Sequence, residues 1–463
     1  MYEQSNITRN LVDYGMKQFL LNLQSLVRIP SVSAKNEGLL EAANLVTKIM
    51  RKAGISTELL NLDGREEFIA PIVYGEVKSK SNPNGKTLLF YNHYDVQPVE
   101  PVSRWERHPF SGQIVGDKIF GRGSSDDKGE LMVRIKAVES IINWSGDVPC
   151  NLKFVVEGGE EIGSPHLKKY LQRFAHKLKC DGIVWEFGYV DVKTRPIINL
   201  GMKGMLYVEL LAVGPCTDIH SSLAVLVPNP AWKIVNALNS LWDEKTGIIK
   251  ITDWYRECRS LSSRELSFSA AQPAFDDFEF KAKYRLDHLV SGLSRNQIRR
   301  ALAERPTCNI SGISSGYVGA GAKTVLPMIA RAMIDFRLVL DMIPEIQFNR
   351  LRAHLLRNEF SNIYVKFVHG LKPYRTYFAD PFVRTVVGAA FAAFNQKPII
   401  NLSSAGSGPM SLLVESTKAP CVAVGCSDMY SNIHSYNEFA RIPLLKLGTK
   451  LMIELINRFA SAY

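Results

Sequence analysis

The strongest constraint on the fold is a repeated pairing of a short apolar run with a longer amphipathic segment. TLLFYNHYDV (87–96), NLKFVVEGGEE (151–161) and DGIVWEFG (181–188) are β-type runs that pass into polar residues. The segments 36–53 and 127–144 carry apolar residues at helical spacing. Leu39, Leu40, Ala43, Val46, Ile49 and Met50 mark the first, and Leu131, Ile135, Val138, Ile141 and Ile142 the second. Short strands alternating with helices predict an α/β fold, a mostly parallel sheet with helices on both faces.

The texture changes after GMKG (201–204). MLYVELLAVG (205–214) reads as a half-buried strand, and 228–244 as a helix opened by Pro-Asn-Pro. A less regular polar region runs to about 306. MIARAMIDFRLVL (328–340) and NIYVKFVHG (362–370) then read as strands flanking a helix over 343–358. From about 372 the first texture returns, with a helix over 380–395 and the run APCVAVGC (419–426). A chain of 463 residues has room for two or three domains at roughly 150 residues each. The expected division is one domain in two parts, 1–202 and 372–463, interrupted by a smaller α/β sandwich over 203–371.

Residues of metal-ligand type stand where the apolar runs end. His93 and Asp95 follow one run, Glu160 and Glu161 another, Glu186 a third and His434 a fourth. Asp126 and Asp127 sit in GRGSSDDKG, directly before a helix. In an open α/β sheet, ligands bind beyond the carboxyl ends of the strands. Taken singly, each of these residues is more often a capping residue or a solvated turn. Together, five segments bring two imidazoles and several carboxylates to one edge. That set suits a pair of zinc-like ions, with one carboxylate bridging and others capping. Within Glu160-Glu161 one side chain is free to bind metal, while the other serves as general base toward a metal-acidified water.

The balance of 56 basic and 45 acidic residues, net +11, comes without long basic runs or an aromatic-basic strip, and so does not point to nucleic acid. No run of about 18 apolar residues is present, which excludes an evident membrane span. The stretch MYEQSNITRNLVDYG lacks the apolar centre of a secretory signal. Seven scattered cysteines without a CxxC pair fit a reducing compartment, and a cytoplasmic location is expected.

With these segments in view, the sequence resembles the di-zinc metallopeptidase family of carnosinase-type dipeptidases, carboxypeptidase G, aminoacylase and succinyl-diaminopimelate desuccinylase. The resembling segments include LQSLVRIPSVSA, YNHYDVQP, IFGRGSSDDKGE, VVEGGEEIGSPHL, GMKG, GAGAKTVLP, IDFRLVLDMIPE and SNIHSYNEF, which run from residue 23 to 439 in the family's order. HYDVQP and KTVLP look most like the dipeptidase branch. The resemblance implies that His93 binds one metal and that Asp95 orients its ring. It implies that Asp126 bridges both ions beside a cis peptide to Asp127, that Glu160 is the general base, and that Glu161 and His434 bind the second ion. Glu186 falls at the remaining ligand of the first ion, where dipeptidases generally have Asp, and deacylases and carboxypeptidases Glu.

The segment 203–371 corresponds to the family's lid and dimerisation domain. There His220 resembles the histidine that reaches a neighbouring subunit's site and stabilises an oxyanion. Thr324, Arg337, Gly406 and Ser407 match substrate-contacting positions, with Arg337 forking onto a carboxylate. One departure stands out: the family reads HSGxxGG, whereas this chain reads HSSLAVL, with Ser222, Val225 and Leu226 in place of glycines. A turn of different shape, or a differently packed lid, follows from it.

The resemblance implies a homodimeric hydrolase with two divalent ions, zinc foremost and Mn or Co as alternatives. Its substrate is a dipeptide or an N-acyl amino acid and its water is activated by Glu160; the charge and hydropathy patterns above add no nucleic-acid or membrane partner. Two other readings stay open. One is a specialised-metabolism amidohydrolase or amide-forming relative with the same metal site. The other is an inactive binding module.

Overall fold

The structure, a computed structural model, describes residues 12–62, 68–290 and 293–461. Most of the polar amino-terminal stretch discussed above (1–11) lies outside the described residues. The chain divides into two compact units. The first comprises Met1–Gly201, Thr376–Leu402 and Leu412–Tyr463, and the second Met202–Arg375 and Ser403–Ser411.

The elements used below are, in chain order, α1 (Met16–Val27), α2 (Leu39–Lys52), β1 (Ser56–Leu60), β2 (Ile72–Val77), β3 (Thr87–His93), α3 (Lys128–Ser145), β4 (Asn151–Glu157), β5 (Gly182–Trp185), β6 (Ile197–Asn199), β7 (Gly201–Val213), α4 (Pro230–Leu241), β8 (Thr307–Ser315), β9 (Ile329–Leu338), α5 (Pro344–Arg357), β10 (Ile363–Leu371), α6 (Pro381–Phe394), β11 (Ile399–Asn401), β12 (Cys421–Ala423) and α7 (Ile442–Ser461).

In the first unit an eight-stranded sheet has the order β1-β2-β4-β3-β5-β12-β6-β11. Its centre, β4-β3-β5-β12, is parallel, while β1 and β2 join antiparallel at one edge. β3 is buried from Leu88 through His93, as a strand covered on both faces must be. Helices pack on the sheet and on one another, α6 on α7, α7 on α3, and α3 on α1. Helix α2 turns Leu39, Ala42, Ala43, Val46, Ile49 and Met50 inward, whereas Leu40, read with that face from the sequence, is exposed. Helix α3 departs from that pattern, because Lys128, Glu130, Arg134 and Lys136 are buried along with its apolar residues.

In the second unit β8-β9-β7-β10 form a fully antiparallel sheet. Alternate residues of β7 and β9 (Leu206, Val208, Leu210, Ile334, Phe336 and Leu338) pack with Ile234 and Leu241 of α4 and Leu351 and Leu355 of α5. This is a two-layer α/β sandwich. The region read as irregular holds three short helices, Ser263–Ala270, Asp277–Tyr284 and Arg295–Glu304, opened by Ser262, Asp276 and Ser294. At eight to ten residues each, they are too short for apolar periodicity to declare them. Among the described residues no helix is long and apolar enough to cross a membrane.

Candidate active site

The first unit gathers its polar residues at the carboxyl ends of the parallel strands. β3 ends on His93, whose ring is fully buried. Its Nε2 lies 3.0 Å from Asp126 Oδ1, and 4.0 Å from Glu186 Oε2 just past β5. On the ring's other side Nδ1 lies 3.3 Å from Asp95 Oδ1 and 3.1 Å from the Asp95 carbonyl. The Asp95 carboxylate also accepts the backbone N–H groups of Glu160 (3.2 Å) and Glu161 (3.0 Å). One buried aspartate thus fixes both an imidazole and the turn that carries the two glutamates.

His434 completes the group from a distant part of the chain. Its Nε2 lies 3.2 Å from Asp126 Oδ2 and 3.1 Å from Glu161 Oε2. Asp126 therefore faces one imidazole with each oxygen. Partial burial opposes a charge on His434, but the Asp126 and Glu161 carboxylates outweigh it and hold its pKa at about 11. Burial likewise works against the Asp126 carboxylate, and hydrogen bonds from His434 and His93 hold it below the usual range. Glu160 is pushed well above that range, by burial first and then by Glu161 and Asp126, with His93 opposing. The peptide between Asp126 and Asp127 is cis.

Ligand atoms of His93, Asp126 and Glu161, and those of His93, Glu160 and Glu186, fall within 4.8 Å of one another. Buried Glu161 Oε1 and Glu186 Oε2 have no hydrogen-bond partner. Two imidazoles, four carboxylates and two orphaned oxygens form a donor set that fits divalent cations.

Several supporting residues carried no signal in the sequence. Glu438, fully buried, accepts from Ser125 N (2.9 Å) and Asp126 N (3.1 Å) with one oxygen. With the other it accepts from Gly123 N (3.1 Å) and Arg122 Nη1 (2.8 Å). Arg134 of α3 donates to Tyr91 O, Asn92 Oδ1 and Trp185 O, tying the ends of β3 and β5 together. Asn92 donates in turn to Asp127 Oδ2, which also accepts from His93 N.

The remaining predicted residues belong to the second unit. His220 opens the 3-10 turn Ser221–Val225, and its strand partner is Val325, next to Thr324. His220 and Thr324 line an open cavity of about 710 Å³ together with Asp218 and Lys323. Arg337 on β9 lies 3.5 Å from Asp335. Gly406 N donates to Ser404 Oγ, and Ser407 Oγ to Gly204 O (2.8 Å).

A mostly parallel sheet with this cluster beyond its strand ends makes a candidate metal centre in an α/β protein. Residues 89–458 match Peptidase family M20/M25/M40, and the chain belongs to that family. It is 29% identical over 363 residues to the Cys-Gly metallodipeptidase dug1 of Schizosaccharomyces pombe, covering 75% of this chain and 74% of the relative. It is 27% identical over 384 residues to the β-Ala-His dipeptidase of Mus musculus, covering 78% and 77%. The fold matches that of the M20 family metallo-carboxypeptidase Sso-CP2 from Sulfolobus solfataricus with a TM-score of 0.88 and 35% identity, over 96% of this chain and 99% of that one. The chain is accordingly a metal-dependent hydrolase.

Proposed function

We propose that this chain is a dipeptidase that hydrolyses the amide bond of a small dipeptide with two divalent cations. The observation that carries this reading is the convergence of His93, Asp126, Glu160, Glu161, Glu186 and His434 in one cluster. His93 and Glu186 would hold one ion, Glu161 and His434 the other, and Asp126, which faces both imidazoles, would serve both. Zinc suits these donors best, with Mn or Co as alternatives. When bound, such ions polarise a carbonyl and lower the pKa of water to about 7.

Glu160 then takes the proton from the attacking water and passes it to the leaving amine. Its burial favours the protonated form after the first transfer, which suits the second. Asp95 keeps His93 and the Glu160-Glu161 turn in register. Arg337, with Gly406, Ser407 and Thr324, is assigned to the substrate, the guanidinium taking its carboxylate. His220 is assigned to the oxyanion, and the working unit to a homodimer in which His220 serves a second copy. Exposed apolar side chains of the second unit support that assembly: Trp232 on α4 is 66% exposed, and Ile310 and Ile313 are exposed on the edge strand β8. Free thiols at all seven cysteines fit a reducing, cytoplasmic setting.

Glu186, and the likeness to a carboxypeptidase, favour a second reading, hydrolysis of N-acyl amino acids or of longer peptides from the carboxyl end. The test is a panel of Cys-Gly, β-Ala-His, N-acyl amino acids and tripeptides after chelation and reconstitution with Zn, Mn or Co. Turnover confined to dipeptides supports the first reading. Turnover confined to acyl amino acids or tripeptides assigns the second. Turnover that survives complete metal removal overturns both.

A further inference from the structure

The segment HSSLAVL (220–226) carries side chains where the resemblance predicts glycines, and the structure shows what one of those side chains does. Ser222, Val225 and Leu226 are not among the residues with a positive φ. Instead Ser221–Val225 form a 3-10 turn that uses the His220 side chain as its cap. Ser222 N donates to His220 Nδ1 at 3.2 Å, and Ser222 Oγ lies 2.7 Å from the same nitrogen. A backbone N–H can only donate, so Nδ1 must accept and carries no proton. The Ser222 hydroxyl then also donates to it. The single proton of the neutral ring is left on Nε2.

We propose that Ser222 is a positioning residue that holds His220 as a neutral imidazole with its proton on Nε2, ready to donate to developing negative charge. This rests on the assignment of His220 to the oxyanion. His220 and Ser222 are both exposed, so an unheld ring would exchange its Nδ1 partner for water and sample both tautomers. Glycine at 222 retains the N–H but has no hydroxyl. In this chain Oγ adds a second donor to the same lone pair and ties the ring to the turn. A neutral donor serves an oxyanion without bringing a proton that must be removed afterwards.

The test uses the full-length, zinc-loaded protein with ¹⁵N-labelled histidine at pH 8. The His220 resonances are assigned by their loss in His220→Ala. The wild-type ring is expected as the Nε2–H tautomer. Ser222→Ala and Ser222→Gly should move the two ring-nitrogen shifts toward each other, as tautomers mix. Loss of one hydrogen bond should lower kcat about 3- to 10-fold with KM nearly unchanged, and Ser222→Thr, which restores a hydroxyl, should recover both signals. A wild-type ring protonated on Nδ1 overturns the proposal. So do unchanged shifts and unchanged kcat in both Ser222 variants. Full turnover in His220→Ala overturns the oxyanion assignment and the catalytic part of the proposal with it. The ¹⁵N spectrum shows separately whether Ser222 sets the tautomer.

Discussion

At the scale of single residues, Glu160 and Glu161 are adjacent yet have different surroundings. Glu161 shares its carboxylate with His434 and keeps an orphaned oxygen, while Glu160 stands beside His93 and Glu186. Glu160→Gln should therefore retain metal and lose roughly 10²–10⁴-fold in turnover, the usual scale for a general base. Glu161→Gln should instead lower metal occupancy, as should His93→Ala, Asp126→Ala and His434→Ala. Metal analysis beside steady-state kinetics separates the two classes, and a reversed pattern would exchange the roles of the two glutamates. Lys203 is a residue of another kind. It is buried, donates to Arg305 O at 2.6 Å, and has its pKa pushed down to about 8 by burial and by the charge of Arg337. The folded state thus binds this proton less tightly than the unfolded chain, where the value is 10.5. Stability from this group is fully present above 10.5 and is lost as pH falls through about 8. The difference in Tm between wild type and Lys203→Met should move in favour of the wild type between pH 7 and pH 10. A flat difference would show that Lys203 is not held away from its charged form.

At the scale of elements, the two segments that meet at Asp126 are joined by Glu438. It lies four residues after His434 and grips the backbone from Gly123 to Asp126. Glu438→Gln turns an acceptor into a donor against those N–H groups and leaves Arg122 buried without its carboxylate. Breaking such a buried pair costs about 3–5 kcal/mol. Metal affinity should fall with stability, measured by chelator competition and denaturant unfolding. Unchanged affinity in a destabilised variant would confine Glu438 to the fold. This residue also shows where the sequence became opaque. His93, Glu160, Glu161 and Glu186 were legible because each follows an apolar run whose direction the parallel sheet dictates. Arg134 and Glu130 were not, because a charge in an amphipathic helix reads as a solvent face, and Glu438 was not, because it stands at the end of a turn where no periodicity assigns it a side. Yet Glu130 is buried and accepts from Cys426 N (2.6 Å) and Ser427 N (3.1 Å). The excursion Ser403–Ser411 was equally hidden. Its pairing with β7, Met202 opposite Ser404, is a long-range match that no periodicity records.

At the scale of the whole molecule, the assembly can be tested without reference to substrate identity. If His220 serves a second copy, His220→Ala alone should keep metal and fold but lose about 10²–10³-fold in turnover, the usual cost of one oxyanion donor. Mixing His220→Ala with Glu160→Gln subunits should restore part of the activity, since one site of each mixed dimer has both groups intact. Light scattering that finds a monomer at full activity, or no recovery after proven subunit exchange, would show that His220 does not act in trans. Completion of the cluster in the first unit requires a different long-range event, the arrival of His434 at an aspartate already faced by His93. The two imidazoles meet across one aspartate, although 341 residues of sequence separate them. During synthesis at about 5–20 residues per second, the earlier ligands wait many seconds for the last one. Until it arrives, Asp126 and Glu161 lack the second imidazole that each faces in the folded chain. The cation site therefore belongs to the finished chain alone, and a ribosome-bound fragment that stops short of His434 should be unable to hold two ions.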